Sequence, residues 1–375
     1  MIITSMVLAA LVATRDVGPE VVSKPAALVA LGSELKPRAL EGKLEQGGLV
    51  VAQGWWSPAR WWPGAVPVGT RGQGVLELVD GSVIMGRCVG GVGEESIVWN
   101  NDQLGKLTFK LDQVSSMTVS GARAERRSVK ADTVRLSNGD ALEGLVLSVS
   151  EQGSEQGGAI TIERNKERST IPLDRVREVR LANPARAPKG ARVWLDDGTE
   201  LACATVARQT SGAWSVELEG RTIELSAARV RGATAEVSKY VGLGQMTLID
   251  QEPGEGRRWW SPVEMRSNPS DMLGASDVVL AGPMRVRWKL PEGAKRLGGW
   301  VVLPEEARSW GECELIVRID GRELSRLAMS AGKPEAELGV DVPSGAKELS
   351  VELKQGPRGA VQNTLVLRKW IVVKQ

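Results

Sequence analysis

From residue 74 onward the chain is written in short runs of alternating apolar and polar residues, closed off by turns rich in Gly, Asn and Asp. Alternation with a period of two buries one face of an extended segment and wets the other, so these runs predict β-strands. One pattern occurs three times. It reads Val75-Leu-Glu-Leu-Val-Asp-Gly81-Ser-Val-Ile-Met-Gly86, then Val134-Arg-Leu-Ser-Asn-Gly139-Asp-Ala-Leu-Glu-Gly144, then Val193-Trp-Leu-Asp-Asp-Gly198-Thr-Glu-Leu-Ala-Cys203. Each copy predicts two strands joined by a tight turn, at Asp80-Gly81, Asn138-Gly139 and Asp197-Gly198. An Asx-Gly pair between alternating runs points to a type I′ turn, which needs positive φ at both central residues. Gly86 and Gly144 follow the turn glycine by five residues, and Cys203 holds that place in the third copy. The turn glycines are 58 and 59 residues apart, which predicts tandem modules of one supersecondary unit.

Further strand-like runs complete each unit. Ser96–Trp99, Leu107–Leu111 and Val114–Val119 follow the first hairpin. Ala159–Ile162, Thr170–Leu173 and Val176–Leu181 follow the second, and Trp214–Leu218, Arg221–Leu225 and Arg229–Arg231 the third. Leu111-Asp-Gln-Val114 and Leu173-Asp-Arg-Val176 hold matching places. Five short strands in about fifty residues suit a small barrel, in which a strongly bent sheet closes to hide its edges. Three barrels are expected, at 74–120, 132–182 and 191–236, with Asn183 to Lys189 as the linker before the third. The Asp-Gly-x4-Gly hairpin within a five-strand unit resembles the first Sm motif, and Val230-Arg-Gly232 is similar to the second. The resemblance implies an Sm-like or SH3-like fold. The asparagine with which Sm proteins bind RNA bases has no counterpart, so no nucleic-acid partner is implied.

Beyond Tyr240 alternation continues without the repeat, through Met284–Leu290, Glu314–Asp320, Ala336–Val342, Lys347–Leu353 and Leu365–Val373, with a further turn at Asp320-Gly321. This predicts an antiparallel, jelly-roll-like β-sandwich over 240–375. Its order of features resembles the NPCBM family of carbohydrate-binding modules, first noted in glycosyl hydrolases. The resemblance rests on Val286–Leu290, Arg296–Val302, Leu315–Gly321, Val340–Ala346 with Leu349–Leu353, and Val366–Ile371. Two segments depart from the family pattern: its Gly-Leu-x-x-His stretch lacks the His here, and its Asp-rich strand end reads Val361-Gln-Asn-Thr-Leu365. The fold class is therefore all-β, with three tandem small barrels ahead of a sandwich.

Composition narrows the chemistry. There is no histidine in 375 residues, which removes Ser-His-Asp and Cys-His catalysis and His-ligated metal sites. Cys88, Cys203 and Cys313 lie far apart without metal-ligand spacing and read as small buried hydrophobes. Neither a metal nor a cofactor is expected. Net charge is +2, so the whole molecule carries no electrostatic footprint for nucleic acid or anionic membrane. The run Arg123-Ala-Glu-Arg-Arg127 reads as a solvated connector, and Gly90-Gly91-Val-Gly93 lacks the lysine and helix of a phosphate loop. Asp80, Asp197 and Asp320 are accounted for by their turns.

Ile2 to Ala13 is a mostly apolar run of twelve residues, too short to span a bilayer and consistent with a signal peptide at 1–13. Secretion to the cell envelope or beyond is the expectation, with no membrane span once the signal is removed. Residues 14–73 hold strand-like patches at Ala27–Leu31 and Leu49–Ala52, which read as a worn half-copy of the repeat, and then a Trp-rich stretch. There are thirteen Trp against one Tyr and one Phe, and Trp-Trp-Ser-Pro occurs twice, at Trp55–Pro58 and Trp259–Pro262. Indole faces stack on sugar rings and their N–H bonds hydroxyls, so Trp259, Trp260 and Trp310 are the candidate ligand-binding residues. The same tryptophans also fit packing on strand faces. Two functions follow: a non-enzymatic protein binding a glycan or envelope component through the sandwich, or a scaffold whose repeats mediate protein–protein assembly. A glycosidase working with carboxylates alone is a third.

Overall fold

The computed structural model describes residues 28–31, 37–39, 49–52, 74–93, 95–119, 129–150, 158–218, 220–254, 261–266, 272–360 and 362–375. Residues 1–13, where a signal peptide is expected, the Trp55–Pro63 stretch, Arg123–Arg127 and the pair Trp259–Trp260 lie outside them. Among the described residues the chain is all-β, its strands broken only by short 3-10 turns.

Each repeat is a meander whose last strand returns to pair with its first. In the first repeat Gly74–Leu78 pairs with Val83–Gly90, that strand with Ser96–Asn101, and that with Gly105–Lys110. A 3-10 turn, Leu111–Gln113, then carries the chain to Val114–Thr118, which lies against Gly74–Leu78. The second repeat follows the same route through Asp132–Leu136, Ala141–Ser150, Ala159–Arg164, Glu167–Pro172 and Val176–Arg180. The third runs through Ala191–Leu195, Glu200–Cys203, Thr205–Arg208, Trp214–Leu218, Arg221–Leu225 and Val230–Thr234. Numbering strands within a repeat, the pairing order is 5-1-2-3-4; in the third repeat strand 2 is broken at Ala204.

The hairpin turns correct one expectation. Gly81, Gly139 and Gly198 have φ of 83°, 97° and 95°, but the Asx before each is not in the left-handed region. Gly81 N bonds Leu78 O while Leu78 N bonds Ser82 O, and the other two turns repeat this. These are three-residue loops, a type I turn followed by a left-handed glycine, rather than type I′. The Asx side chain closes the turn instead: Asp80, Asn138 and Asp197 accept bonds from the backbone N–H two residues on. Of the four Asx-Gly pairs, Asp320-Gly321 keeps both φ positive, 46° and 79°, in a two-residue loop pairing Ile319 with Arg322. The second glycine also has a reason. A Cβ at Gly86 would sit 2.2 Å from Asn100 O, and one at Gly144 2.5 Å from Glu163 O, so strand 2 can fold onto strand 3 only without a side chain there.

The repeats do not follow one another in space as they do in sequence. The first lies in the middle. Its strand 5 pairs with strand 5 of the second repeat, and its strand 2 with strand 2 of the third. Strand 5 of the third repeat pairs in turn with Leu49–Ala52. That N-terminal strand pairs with Leu28–Leu31, which pairs with Pro37–Ala39. Ala30 faces Arg38, eight residues on, as Leu76 faces Ile84, Val134 faces Leu142 and Val193 faces Leu201. The N-terminal strands thus have the order 5-1-2 and the hairpin register of a fourth copy. One hydrophobic core runs through the three full repeats, from Leu76 and Trp99 through Val134 and Ile160 to Val193 and Trp214. Asn183 to Lys189 is a fixed connector. Asn183 Nδ2 donates to Leu111 O and Val114 O, and Arg186 N to Val79 O. A cleft of about 610 Å3 lies between this connector and the seam of repeats one and two.

The last third is a sandwich. One sheet orders Glu264–Arg266, Asp277–Ala281, Thr364–Lys374, Ala294–Val302 and Glu335–Asp341, with Tyr240–Gly242 also against Thr364–Lys374. The other orders Leu248–Pro253, Met284–Lys289, Glu348–Gln355, Glu312–Ile319 and Arg322–Ser330. Val286, Trp288, Leu297, Leu315, Val351, Leu365 and Trp370 fill the space between. A separate cluster of Trp194, Val237 and Tyr240 with Met272, Leu273, Ile371 and Val373 seats the sandwich on the third repeat.

Candidate functional site

Most described tryptophans are packing residues. Trp99, Trp194, Trp214, Trp288 and Trp370 are buried, and Trp300 is partly so, its backbone O accepting the Trp370 indole N–H at 2.9 Å. Trp310 is the exception, 59% exposed. An indole left in water where the others are covered is the outlier that a binding platform would produce.

The surroundings of Trp310 are built from two loops at one end of the sandwich. The first, 303–311, leaves Val302 and turns through Glu305–Ala307; Arg308 Nε bonds Leu303 O and Gly311 N bonds Ala307 O. The second, described at 356–360 and 362–363, precedes the final strand. The Trp310 N–H donates to Gln362 Oε1 at 3.0 Å, and Gln362 is held at φ 50°. Gly356 N bonds Glu312 O, an approach that leaves no room for a side chain: a Cβ at Gly356 would lie 2.2 Å from that oxygen. The guanidinium carbon of Arg358 stands 5.9 Å from the Trp310 ring centroid, and Arg358 Nε is 3.8 Å from Glu312 Oε2. One indole face therefore carries a cation and several N–H donors. Beneath the loops Asn363 is only 2% exposed, and neither atom of its amide has a partner. A buried amide left unpaired costs about 1–3 kcal/mol, which marks this end of the sandwich as more polar inside than packing requires.

The same end receives the chain leading into the Trp259–Trp260 segment. Asn363 O accepts from Gly282 N, and Pro283 O accepts from Gly254 N, the last described residue before that segment. Trp259 and Trp260 themselves lie outside the described residues, so of the three predicted platform residues the structure locates Trp310.

The remaining candidates are structural. Asp80, Asn138, Asp197 and Asp320 with their glycines are turn residues. Asp197 has a second task that sequence reasoning missed: its carboxylate accepts from Asn101 Nδ2, which also bonds Met85 O and Thr199 Oγ1, tying the first repeat to the third. Arg192, 3% exposed, reinforces that tie by bonding Glu200 Oε1 and Asp80 O. Gly90-Gly91-Val-Gly93 is a bend pinned by Ser96, whose hydroxyl bonds Val92 N and O. Burial pushes the Cys88 thiol up to about 11 and those of Cys203 and Cys313 up to about 12, so all three stay protonated and unreactive near neutral pH. Among the described residues no group of three or more His, Cys, Asp or Glu could hold a metal ion, and no helix is long and apolar enough to cross a membrane.

No family model matches the sequence, and no curated protein matches it. Solved structures similar in part include a CBM51 module from Clostridium perfringens GH95 in complex with methyl-galactose. It is 11% identical, covers 36% of this chain and 99% of that one, and has a TM-score of 0.30. The tandem CBM51 modules of Sp3GH98, the family 98 glycoside hydrolase from Streptococcus pneumoniae SP3-BS71, are 8% identical over 93% of this chain and 88% of that one, TM-score 0.31. The CBM51-2 and INT domains of Clostridium perfringens ZmpB, in complex with GlcNAc, are 15% identical over 60% of this chain and 45% of that one, TM-score 0.31. Scores of this size transfer no function, and the functional reading rests on the geometry of the chain itself.

Proposed function

We propose that this is an exported, non-enzymatic protein that binds a glycan of the cell envelope or its surroundings through the loop end of the sandwich at 240–375. Trp310 stacks on a sugar ring, Arg358 supplies hydrogen-bond donors beside it, and Trp259 and Trp260 extend the platform. The carrying observation is the exposed indole, held by a backbone bond to Gln362 and flanked by Arg358, in a molecule whose other described tryptophans are covered. The NPCBM resemblance of the sandwich points the same way. The modules at 74–120, 132–182 and 191–236 act as small barrels that carry it. No cofactor or metal takes part.

Tryptophan fluorescence of the full chain tests this reading. Soluble sugars should quench or shift a part of the emission that is missing in Trp310→Ala. An identical sugar response in the wild type and in Trp310→Ala would remove Trp310 from the site. A scaffold whose repeats mediate protein–protein assembly is the second reading, and it is favoured by the edge at Ala141 to Gly144, which pairs on one side with Asp132–Leu136 and on the other with no described strand.

A further inference from the structure

The contacts between repeats have internal two-fold symmetry. Where repeat one meets repeat three, Met85 N bonds Thr199 Oγ1 and Ala202 N bonds Ser82 Oγ. Ser82 and Thr199 are equivalent positions, each following the turn glycine, and so are Met85 and Ala202. Val83 and Glu200, equivalent again, face each other on the axis. The strand-5 contact between repeats one and two obeys the same rule: Met117 faces its equivalent Val179, while Ser116 faces Arg180 and Thr118 faces Glu178. Ala233 faces Val50 in the same way at the third contact. Two equivalent strands therefore always meet antiparallel, 5 with 5 and 2 with 2. That is the geometry of an isologous interface.

Two strand-2 edges are left over among the described residues. One is Pro37–Ala39, where proline holds the axis position and no backbone N–H is available. The other belongs to repeat two. The first half of Ala141–Ser150 pairs with Asp132–Leu136 on one side and with no described strand on the other. Asp140, Ala141, Glu143 and Leu145 are exposed along it, Leu145 by 56%.

We infer that this edge is where two copies of the chain meet, repeating between molecules the strand-2 contact that joins repeats one and three within one. The parts are present at equivalent positions. Ala141 takes the axis place of Val83 and Glu200. Asp140 takes the place of Ser82 and Thr199, with carboxylate oxygens to accept the Glu143 N–H of the second copy. Arg164, exposed, takes the place of Asn101, which reaches across the internal contact to Asp197 and Thr199. In the dimer Arg164 reaches Asn138 and Asp140 of the second copy. An Arg164–Asp140 ion pair thus takes the place of the Asn101–Thr199 hydrogen bond of the internal contact, and the two-fold makes it occur twice. A closed two-fold uses up the edge, so the product is a dimer and not a fibre.

The test is the mass of the full chain in solution, by light scattering on a sizing column, together with cross-linking. Wild type should be a dimer. Ala141→Pro removes the N–H facing the axis, and Asp140→Lys sets a cation against Arg164; both should be monomers. If Ala141→Pro fails to fold, Asp140→Lys decides. Ala141→Cys should oxidise to a covalent dimer, because residues opposed on such an axis lie about 5.5 Å apart at Cα, within disulfide reach. The protonated native thiols leave a low background. A monomeric wild type at the highest soluble concentrations overturns the inference. So does a dimer that persists in Asp140→Lys and gives no cross-link in Ala141→Cys.

Discussion

At the residue scale, the three hairpins show how much an Asx-Gly pair determines and what it leaves open. The pair was legible as a turn in each copy, and the glycines do carry positive φ. The turn type was not legible, because a type I turn plus left-handed glycine and a type I′ turn use the same two letters; the loop length selects between them, and that is set by where the strands pair. Gly139 isolates the backbone contribution, since a Cβ there would meet nothing within 4 Å. Gly139→Ala should lower stability by about 1–2 kcal/mol through left-handed strain alone, and Gly139→Asn by less, read from urea midpoints at unchanged slope. Equal losses for Ala and Asn would contradict this. Asn101 and Arg192 were invisible beforehand. Their partners lie 96 and 112 residues away, and nothing local distinguishes a bridging asparagine from a surface one.

At the element scale, the outer face of the sheet from Leu248–Pro253 to Arg322–Ser330 is a ladder of charges of alternating sign. Arg287 bonds Asp250, Arg285 bonds Glu252, Arg318 bonds Glu352, and Arg326 bonds Glu314 and Glu323. These residues are the polar half of the alternation that predicted the strands, so the strands were readable while the pairing across them awaited the register. Each of these charges is answered within the sheet. Hydrogen bonding from Arg287 holds the Asp250 carboxyl below the usual carboxylate range, and Arg326 does the same for Glu323. A depressed folded-state pKa gives stability that is present above the unfolded value, about pH 4, and is lost as pH falls through the folded one. Asp250→Asn should therefore cost a little stability at neutral pH and almost none once the wild-type carboxyl is protonated. The neutral-pH difference should shrink in high salt, since the pair is exposed. A loss independent of both pH and salt, followed by thermal melts, would show that Asp250 acts through packing instead.

At the scale of the whole molecule, tandem units were readable from the 58- and 59-residue spacing, but their order in space was not. Three alternating copies suggest a row in chain order. The structure instead nests the first between the second and the third and closes the row with the N-terminal strands. The reason lies in edges: equivalent strands pair with each other, and which copies meet depends on polar ties such as Asn101 to Thr199. The sandwich was legible from alternation and turns, and Trp288 lies on its inner face in step with Met284 and Val286; Trp370 joins Leu365 and Leu367 there only because Lys369, at φ 54°, breaks the alternation of the final strand. The candidate site was legible in one residue, Trp310. Arg358 and Gln362, 48 and 52 residues further on, joined it only through the folding of two loops to the same end.

The central claim is that this end binds a glycan, and a glycan array probed with the full chain and with Trp310→Ala tests it most directly. The account predicts a defined set of bound glycans for the wild type that the variant loses by about tenfold or more in affinity, as expected when a stacking contact worth about 1.5 kcal/mol or more is removed. A folded wild-type chain that binds no glycan, or a variant that binds the same set equally well, would contradict it.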